Sequence, residues 1–208
     1  MSLLFTRRSH QISQGGQIAF PGGKVERSDE DRTATAVRET HEEIGLPPEA
    51  LRVVGLLDDI PNYDNTQSVT PVVAVVDPAF DTANLIKSPE VSAIFSVPVP
   101  DLEKDENWTT KEMEWKGHQV TQFFFDCRAY PSAGTGEALW GLTAYCTLSL
   151  LLSMSDASNP SKNGVVARHH LTLLEQYDRR LQMGKDALED MEAAKLELAA
   201  SKSPNRVE

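Results

Sequence analysis

Short apolar runs separated by glycine- and proline-rich breaks occupy the first part of the chain, a pattern typical of β-strands. Strands are predicted at residues 3–6 and 17–20, and β-branched runs predict further strands at residues 51–57, 69–76, 93–99 and 120–125. Residues 101–118 contain many acidic side chains and are predicted to form a solvated loop or insertion. The pattern indicates a mixed sheet that one helix and one polar insertion interrupt.

Two segments of the first 154 residues have the character of helices. Ser28, with Asp31 three residues later, resembles a capping box, and the helix that it predicts runs to about Ile44, where Gly45 ends it. The second segment is the uncharged apolar stretch of residues 138–154, whose length of 17 residues is marginal for a membrane span. It lacks a basic flank, so we expect a buried helix that covers the sheet, and no membrane partner.

The C-terminal part divides into three predicted segments: a linker at residues 155–164, a helix at residues 165–200 and a frayed tail at residues 201–208. The helix carries apolar residues at heptad positions, but Gly184 and Lys195 interrupt that seam. Packing on the chain's own domain and pairing in a homodimer are equally favoured. Residues 1–154 are predicted to form the main domain.

The amino-acid composition indicates a soluble globular protein and makes nucleic acid an unlikely partner. A hydrophobic content of 40% and a charged content of 25% are typical of a soluble globular chain. Two cysteines, Cys127 and Cys146, are too few for a disulfide framework or a four-ligand zinc site, which favours an intracellular location. The net charge of -11 makes nucleic acid an unlikely partner, although residues 1–27 are basic and form either a binding edge for an anion or an ordinary solvated face.

Three carboxylates crowd one face of the first predicted helix. Glu39, Glu42 and Glu43 stand at positions i, i+3 and i+4, where each repulsive pair costs about 0.2 to 0.5 kcal/mol. A hard divalent ion such as Mg²⁺ or Mn²⁺ would compensate that repulsion, and Arg38 can pair with Glu42. A solvated acidic face is the alternative interpretation of these three residues alone.

The context of these acids resembles the Nudix hydrolase signature, Gly-x5-Glu-x7-Arg-Glu-U-x-Glu-Glu-x-Gly-U, where U is aliphatic. The matching segments are residues 20–24, which read Phe-Pro-Gly-Gly-Lys, and residues 38–46, which read Arg-Glu-Thr-His-Glu-Glu-Ile-Gly-Leu. Thr40 stands at one aliphatic position, and Asp29 replaces the first Glu with one extra residue before Arg38. That spacing is similar to the coenzyme A pyrophosphatase branch of the family.

Further segments resemble the same branch, and the resemblance extends from residue 3 to about residue 152. Its upstream motif is matched by residues 3–9 and 16–23, and its tryptophan-glycine helix by residues 140–144. Residues 89–91, which read Pro-Glu-Val, resemble its Pro-x-Glu-Val loop without the intervening residue. The arginine that the branch has between its Arg-Ser pair and glycine is absent, with Ile12 or Ser13 in its place. The family's usual strand ahead of Leu3 is also missing, which predicts a domain without its first strand.

The resemblance implies an α+β fold of the Nudix type, an α/β/α sandwich with a mixed central sheet, to which a C-terminal helical extension is added. It implies hydrolysis of a diphosphate bond in a small nucleoside diphosphate derivative, with coenzyme A or acyl-coenzyme A favoured. ADP-ribose, dinucleotides or capped RNA are alternative substrates, and a catalytically silent binding or scaffold protein is the alternative from another class.

The resemblance also implies the roles of individual residues. Mg²⁺ or Mn²⁺ would be bound by Glu39, Glu42, Glu43 and the Gly23 carbonyl. Glu43 or Glu39 would take the proton of the attacking water, with Glu90 as a further candidate, and Arg38 would orient the acids. Substrate binding falls to four residues: Arg7, Arg8, Phe20 and Lys24. The chain ends Arg206-Val207-Glu208, so the Ser-Lys-Leu peroxisomal signal is absent, and a mitochondrial or cytoplasmic location is expected.

Overall fold

The computed structural model describes residues 1–61, 67–115, 118–134, 138–154 and 165. These residues form ten strands and three α-helices. The strands are β1 (Ser2–Arg8), β2 (Ile18–Ala19), β3 (Leu51–Leu56), β4 (Ile60–Pro61), β5 (Ser68–Val69), β6 (Val72–Val76), β7 (Val91–Pro98), β8 (Trp108–Trp115), β9 (His118–Asp126) and β10 (Ala138–Trp140). The helices are α1 (Arg32–Ile44), α2 (Val99–Leu102) and α3 (Gly141–Met154). Single 3₁₀ turns lie at Pro48–Ala50, Thr82–Asn84, Asp105–Asn107 and Pro131–Ala133.

Helix α1 is capped at both ends by side chain and backbone. At its start the Asp31 carboxylate accepts a hydrogen bond from the backbone N–H of Ala34 at 2.7 Å. At its end Gly45 adopts a left-handed conformation with φ of 67° and donates to the carbonyl of His41. The predicted end is confirmed. The predicted start at Ser28 is wrong, because the segment before Asp31 folds around the Asp29 carboxylate, which accepts from the N–H of Glu26.

A helix lies on each face of the antiparallel pair β1–β7. Because side chains alternate along a strand, Leu4 and Phe5 point to opposite faces. Leu4 packs in a cluster with Ile44 of α1, while Phe5 packs in a second cluster with Leu148 of α3. This helix–sheet–helix order confirms the α+β class and the sandwich arrangement. The sequence predicts a mixed sheet, whereas every strand pair among the described residues is antiparallel.

Residues 101–118 are not the solvated loop that their charge predicted. They contain the end of α2 and the whole of β8, which pairs with β9 from Trp108 opposite Phe125 onwards. Trp108 is buried, and its indole N–H donates to the carbonyl of Leu102, itself fully buried, at 2.8 Å. The acidic residues of this strand, Glu112 and Glu114, lie exposed, so the strand contributes one apolar end to the core.

Two further predicted elements are shorter or divided. The predicted helix at 138–154 begins only at Gly141, because residues 138–140 pair with β9 as strand β10. The predicted strand at 69–76 is divided into β5 and β6 at Pro71, which has no backbone N–H for a sheet ladder. Within the described residues, no helix combines the length and the apolarity that crossing a membrane requires.

The predicted linker at 155–164, the helix at 165–200 and the tail at 201–208 lie outside the described residues, apart from Val165. Val165 is fully buried in the larger core cluster, and its backbone N–H donates to the carbonyl of Glu103 at 3.0 Å. The chain therefore returns to the main domain at this point. Cys127 and Cys146 are both buried and take part in no disulfide.

Candidate active site

Arg38 on α1 joins the acidic helix face to the loop that precedes it. Its Nε and Nη2 atoms donate to the two carboxylate oxygens of Asp29 at 2.9 and 3.0 Å, and Nη2 also donates to the carbonyl of Lys24 at 3.1 Å. Its Nη1 atom donates to Glu39 at 3.0 Å and to Glu42 at 3.1 Å. One guanidinium thus sets the position of two of the three predicted carboxylates.

Asp29 is the fixed counter-ion of this arrangement. Its side chain is only 4% exposed and also accepts from the N–H of Glu26 and the hydroxyl of Thr35. The hydrogen bond from Arg38, followed by that from Glu26, holds the pKa of Asp29 far below its usual range, and the pKa of Arg38 is raised in turn. Both groups therefore stay charged at any working pH, and residues 24–29 stay attached to the helix.

Glu43 occupies a different environment on the same helix. It is 7% exposed, and this burial raises its pKa to about 7, an effect that the negative charges of Glu39 and Glu90 reinforce. A hydrogen bond from the backbone of Gly22 and the positive charge of Arg8 act in the opposite direction. Near neutral pH and without a cation, Glu43 is therefore divided between its protonated and ionised forms.

Gly23 lies so close to the carboxylate of Glu39 that a side chain on residue 23 would fit only if that carboxylate or the loop moved. A Cβ atom built on Gly23 would stand 2.3 Å from Oε1 and 2.6 Å from Oε2 of Glu39. Contacts this short do not occur between real atoms, so any other residue would displace either the loop or the carboxylate. The glycine-rich turn and the acidic helix face therefore form one compact unit.

The loop at residues 86–90 brings Glu90 to this unit from a distant part of the sequence. The N–H of Ser88 donates to the carbonyl of Glu43 at 2.9 Å, and the N–H of Ser9 donates to the carbonyl of Glu90 at 2.7 Å. The loop is thus attached both to the last turn of α1 and to the end of β1. As a result Arg8 and Glu90 both act electrostatically on Glu43.

The structure places two predicted substrate-binding residues elsewhere. Arg7 points to the face of β1 opposite Arg8, where its Nη2 lies 3.2 Å from His10 Nε2 and its guanidinium packs on Gly134. The ring of Phe20 stacks on Phe5 at 4.8 Å and fills the core between two clusters. Lys24 contributes its carbonyl to Arg38, and its side chain is exposed.

Sequence analysis missed a polar cluster at the first turn of α1. Arg32 donates to the carboxylate of Asp59 and to the hydroxyl of Thr70, and Thr70 donates to Asp59 at 2.5 Å. Burial opposes the charge on Asp59, but the hydrogen bonds from Thr70 and Arg32 prevail and lower its pKa. The three residues are far apart in sequence, so no local pattern indicates that they meet.

The chemistry of this site fits a hard divalent cation, although its ligands are not assembled. No group of three or more His, Cys, Asp or Glu side chains within the described ranges is arranged as a ready metal site. Arg38 holds Glu39 and Glu42, while the buried Glu43 is crowded by two other carboxylates. A cation between these oxygens would replace the guanidinium contacts and relieve the repulsion that adds to burial in raising the pKa of Glu43.

Comparisons with known proteins agree on one family. The profile of the NUDIX domain matches residues 1–116. "Uncharacterized Nudix hydrolase NudL" of Enterobacter sp. (strain 638) is 33% identical over 152 residues, which cover 73% of this chain and 74% of that protein. "Nudix hydrolase 15, mitochondrial" of Arabidopsis thaliana is 36% identical over 146 residues, 69% of this chain and half of the plant protein.

Among solved structures, the MutT/nudix family protein from Enterococcus faecalis superposes with a TM-score of 0.41 at 19% identity, over 79% of this chain and 59% of that chain. The Ap4A hydrolase of C. elegans superposes with a TM-score of 0.37 at 22% identity, over 47% of this chain and 69% of that chain.

Proposed function

The chain belongs to the Nudix hydrolase family, and we propose that it hydrolyses the diphosphate bond of coenzyme A or acyl-coenzyme A to phosphopantetheine and adenosine 3',5'-bisphosphate. The observation that carries this proposal is the position of the two segments that resemble the coenzyme A branch. Arg8, from the upstream motif, and Glu90, from the Pro-x-Glu-Val loop, both act on the buried Glu43. Segments far apart in sequence thus meet at the acids that perform the chemistry.

The family requires a divalent metal ion, and we assign Mg²⁺ or Mn²⁺ to Glu39, Glu42, Glu43 and the carbonyl of Gly23. When bound, the ion would neutralise the diphosphate and lower the pKa of a water molecule. Arg38 would then keep Asp29 as its partner and hold residues 24–29, so Gly23 stays next to the Glu39 carboxylate.

Proton transfer is assigned to a carboxylate of α1. The oxygen of a water molecule attacks one phosphorus of the diphosphate, the bridging P–O bond breaks, and the leaving phosphate takes that electron pair. We assign the water's proton to Glu43, whose burial in the metal-free protein raises its affinity for a proton above that of an exposed glutamate. Glu39 and Glu90 are the alternative proton acceptors at the same place.

Binding of the anionic substrate is assigned first to Arg8 and Lys24. Arg8 lies on the same face of β1 as the acids and keeps its Nε bonded to the carbonyl of Ser13 at 3.2 Å. Lys24 follows the glycine turn and has an exposed side chain. Arg7 and Phe20 both pack on the opposite side of the strand, so we assign them only a supporting role in substrate binding.

A second substrate class is favoured by one specific difference. The arginine that the coenzyme A branch has before its glycine is absent, and Ser13 at that place offers its carbonyl to Arg8 instead of a second cation. With one cation fewer, the site would suit ADP-ribose or a dinucleotide, which lack the 3'-phosphate of coenzyme A. Capped RNA fits less well with the net charge of -11.

A substrate panel tests the proposal directly. Coenzyme A, acetyl-coenzyme A, ADP-ribose, a diadenosine compound and capped RNA are incubated with the protein and Mg²⁺ or Mn²⁺, and the products are separated by chromatography. We expect cleavage of coenzyme A that Glu42→Gln and Glu43→Gln abolish. Glu49→Gln, at an exposed glutamate of the following turn, is the matched control and retains activity.

The outcomes of this panel separate the hypotheses. Cleavage of ADP-ribose or dinucleotides without coenzyme A selects the second substrate class. Folded protein that is silent on every substrate and that no divalent ion stabilises thermally supports the catalytically silent scaffold.

Location is proposed from a named relative, and assembly from the sequence pattern of residues 165–200. The plant relative is named as mitochondrial, and we propose a mitochondrial location here, tested by imaging of the tagged protein in its own cells. A homodimer through residues 165–200 stays a prediction, and the molar mass in solution with and without these residues tests it.

A further inference from the structure

Strand β7 contains one extra residue where it meets the end of β1. Arg7 pairs with Ala93. The next residue of β1, Arg8, pairs with Val91, so the register passes over Ser92. This is a β-bulge, in which two residues of one strand stand opposite one residue of the other. Bulges are common next to active sites, where they redirect the side chains beside them.

The bulge reverses the face to which the end of β7 points. Val97 lies in the larger core cluster, on the side of α3, and regular alternation would place Val91 on that face as well. Val91 instead lies in the cluster of Ile44, on the face that α1 covers. Ser92 accounts for the change, because one extra residue turns the neighbouring side chains to the other face. The loop at residues 86–90 is thereby brought to α1.

Ser92 stabilises this bulge with its own polar groups. The side chain is partly buried, and its hydroxyl donates across the strand to the carbonyls of Arg7 at 3.0 Å and Arg8 at 3.3 Å. Its backbone carbonyl accepts from the ammonium group of Lys87 at 2.9 Å. One serine therefore joins the end of β1 to the loop at residues 86–90.

The same bulge brings two charged residues to the buried Glu43. Directly beyond it, the N–H of Ser9 donates to the carbonyl of Glu90 at 2.7 Å, which places Glu90 beside the end of β1. Arg8 and Glu90 both act electrostatically on Glu43. The bulge at Ser92 therefore sets the position of Arg8 relative to the acidic residues.

We propose that Ser92 is a positioning residue for substrate binding, whose hydroxyl holds the end of β1 so that Arg8 faces the anionic diphosphate. This inference rests on the proposed function, in which Arg8 binds that group. Ser92 acts through the backbone of β1, to which its hydroxyl is turned. Without the hydroxyl, the carbonyls of Arg7 and Arg8 lose a donor where the ladder is already interrupted. The strand end then gains freedom that binding of the diphosphate must remove.

The test measures kcat and KM for the diphosphate that the enzyme cleaves, and the dissociation constant of α,β-methylene-ADP with Mg²⁺. In this analogue a carbon replaces the bridging oxygen, so the bond is not hydrolysed. Ser92→Ala removes the donor and should raise KM and the dissociation constant about fivefold to tenfold, with kcat changed less than twofold. Ser92→Thr keeps a hydroxyl and should restore wild-type binding. Ser96→Ala, at an exposed serine of the same strand, is the matched control and should bind as the wild type does.

A double-mutant cycle with Arg8→Ala shows whether Ser92 acts through that arginine. Arg8→Ala alone should weaken binding of the analogue, and Ser92→Ala added to it should cause no further loss, because no guanidinium is left to position. Equal losses in both backgrounds would overturn the proposal. Circular dichroism checks the fold of each variant. If Ser92→Ala does not fold, Ser92→Val makes the same comparison, because it has the shape of Ser92→Thr without the hydroxyl.

The analogue separates this inference from the proposed function. Weaker binding in Ser92→Ala, absent from the Arg8→Ala background, supports the positioning role even where no substrate of the panel is cleaved. Cleavage of coenzyme A by Ser92→Ala with the KM of the wild type retains the proposed function and overturns the role of Ser92. A wild type that neither binds the analogue nor cleaves any substrate overturns both.

Discussion

Glu43 makes the stability of the metal-free protein depend on pH in a direction opposite to that of most carboxylates. An unfolded glutamate titrates at about 4.5, whereas burial raises the pKa of Glu43 to about 7. The folded state therefore holds this proton more tightly than the unfolded state. The contribution of Glu43 to stability is complete below pH 4.5 and is lost as the pH rises through 7.

The magnitude follows from the two pKa values. Each unit of difference corresponds to about 1.36 kcal/mol, so ionising Glu43 in the folded protein costs about 3 kcal/mol between pH 4.5 and pH 8. The exposure of this residue is only 7%, so solvent screens little of this effect. That amount is a large part of the free energy of unfolding of an ordinary domain.

Glu43→Gln isolates this contribution, because glutamine cannot ionise but retains an oxygen that accepts from the N–H of Gly22. Urea unfolding in the presence of a chelator is measured at pH 5 and at pH 8 for wild type and variant. Relative to the wild type, the variant should gain about 2.5 kcal/mol in free energy of unfolding between the two values of pH. Glu49→Gln should show no such gain.

Addition of Mg²⁺ at pH 8 completes the experiment. A cation that binds the folded protein at 100 times its dissociation constant stabilises it by about 2.7 kcal/mol, and this gain should be smaller in Glu43→Gln, which has lost a charged ligand. If the difference in unfolding free energy between wild type and variant is the same at pH 5 and pH 8, the buried, crowded state of Glu43 described above is refuted.

Three further experiments, which use four substitutions, have defined outcomes. Gly23→Ala places a methyl group against the Glu39 carboxylate and should lower kcat/KM about 100-fold in a diphosphatase assay, with circular dichroism unchanged. Trp108→Phe leaves the buried carbonyl of Leu102 without its donor and should cost about 1 to 3 kcal/mol in urea unfolding. Arg32→Ala and Asp59→Ala are combined in a double-mutant cycle, in which the free energy of unfolding is measured for each variant. The coupling energy should be at most about 1 kcal/mol, because both side chains are more than one-third exposed. A larger coupling would contradict a solvent-screened pair.

The acidic helix face could be predicted from sequence because its signals are local. The spacing of Glu39, Glu42 and Glu43 places them on one face of any helix, and Gly45 marks its end. The start of the helix was predicted too early because Ser28, Asp29 and Asp31 all have side chains that can cap a helix. The tertiary hydrogen bonds between Asp29 and Arg38 occupy the Asp29 carboxylate, and Asp31 is the residue that caps the helix.

Strand β8 was missed for a related reason. It lies in residues 101–118, a segment rich in acidic residues whose count alone indicates a solvated loop. Pairing with β9 overrides that preference, because it buries Trp108 beside Phe125 while Glu112 and Glu114 stay in solvent. Charge counted over a window therefore says little about a segment whose acidic residues lie in solvent while a tryptophan between them is buried.

The environment of Glu43 depends on contacts that no local pattern contains. Its carboxylate is one of three similar acids in the sequence, yet Glu42 lies more than half exposed and Glu43 is buried. The difference arises because the loop at residues 86–90 bonds to the carbonyl of Glu43, and the pairing of β1 with β7 brings Arg8 beside it. The fold thus gives one glutamate of a repetitive cluster a pKa near neutrality and leaves its neighbour in solvent next to Arg38. Residues of the same type on one helix can therefore differ in their affinity for a proton, which is why Glu43 and not Glu42 is proposed as the proton acceptor.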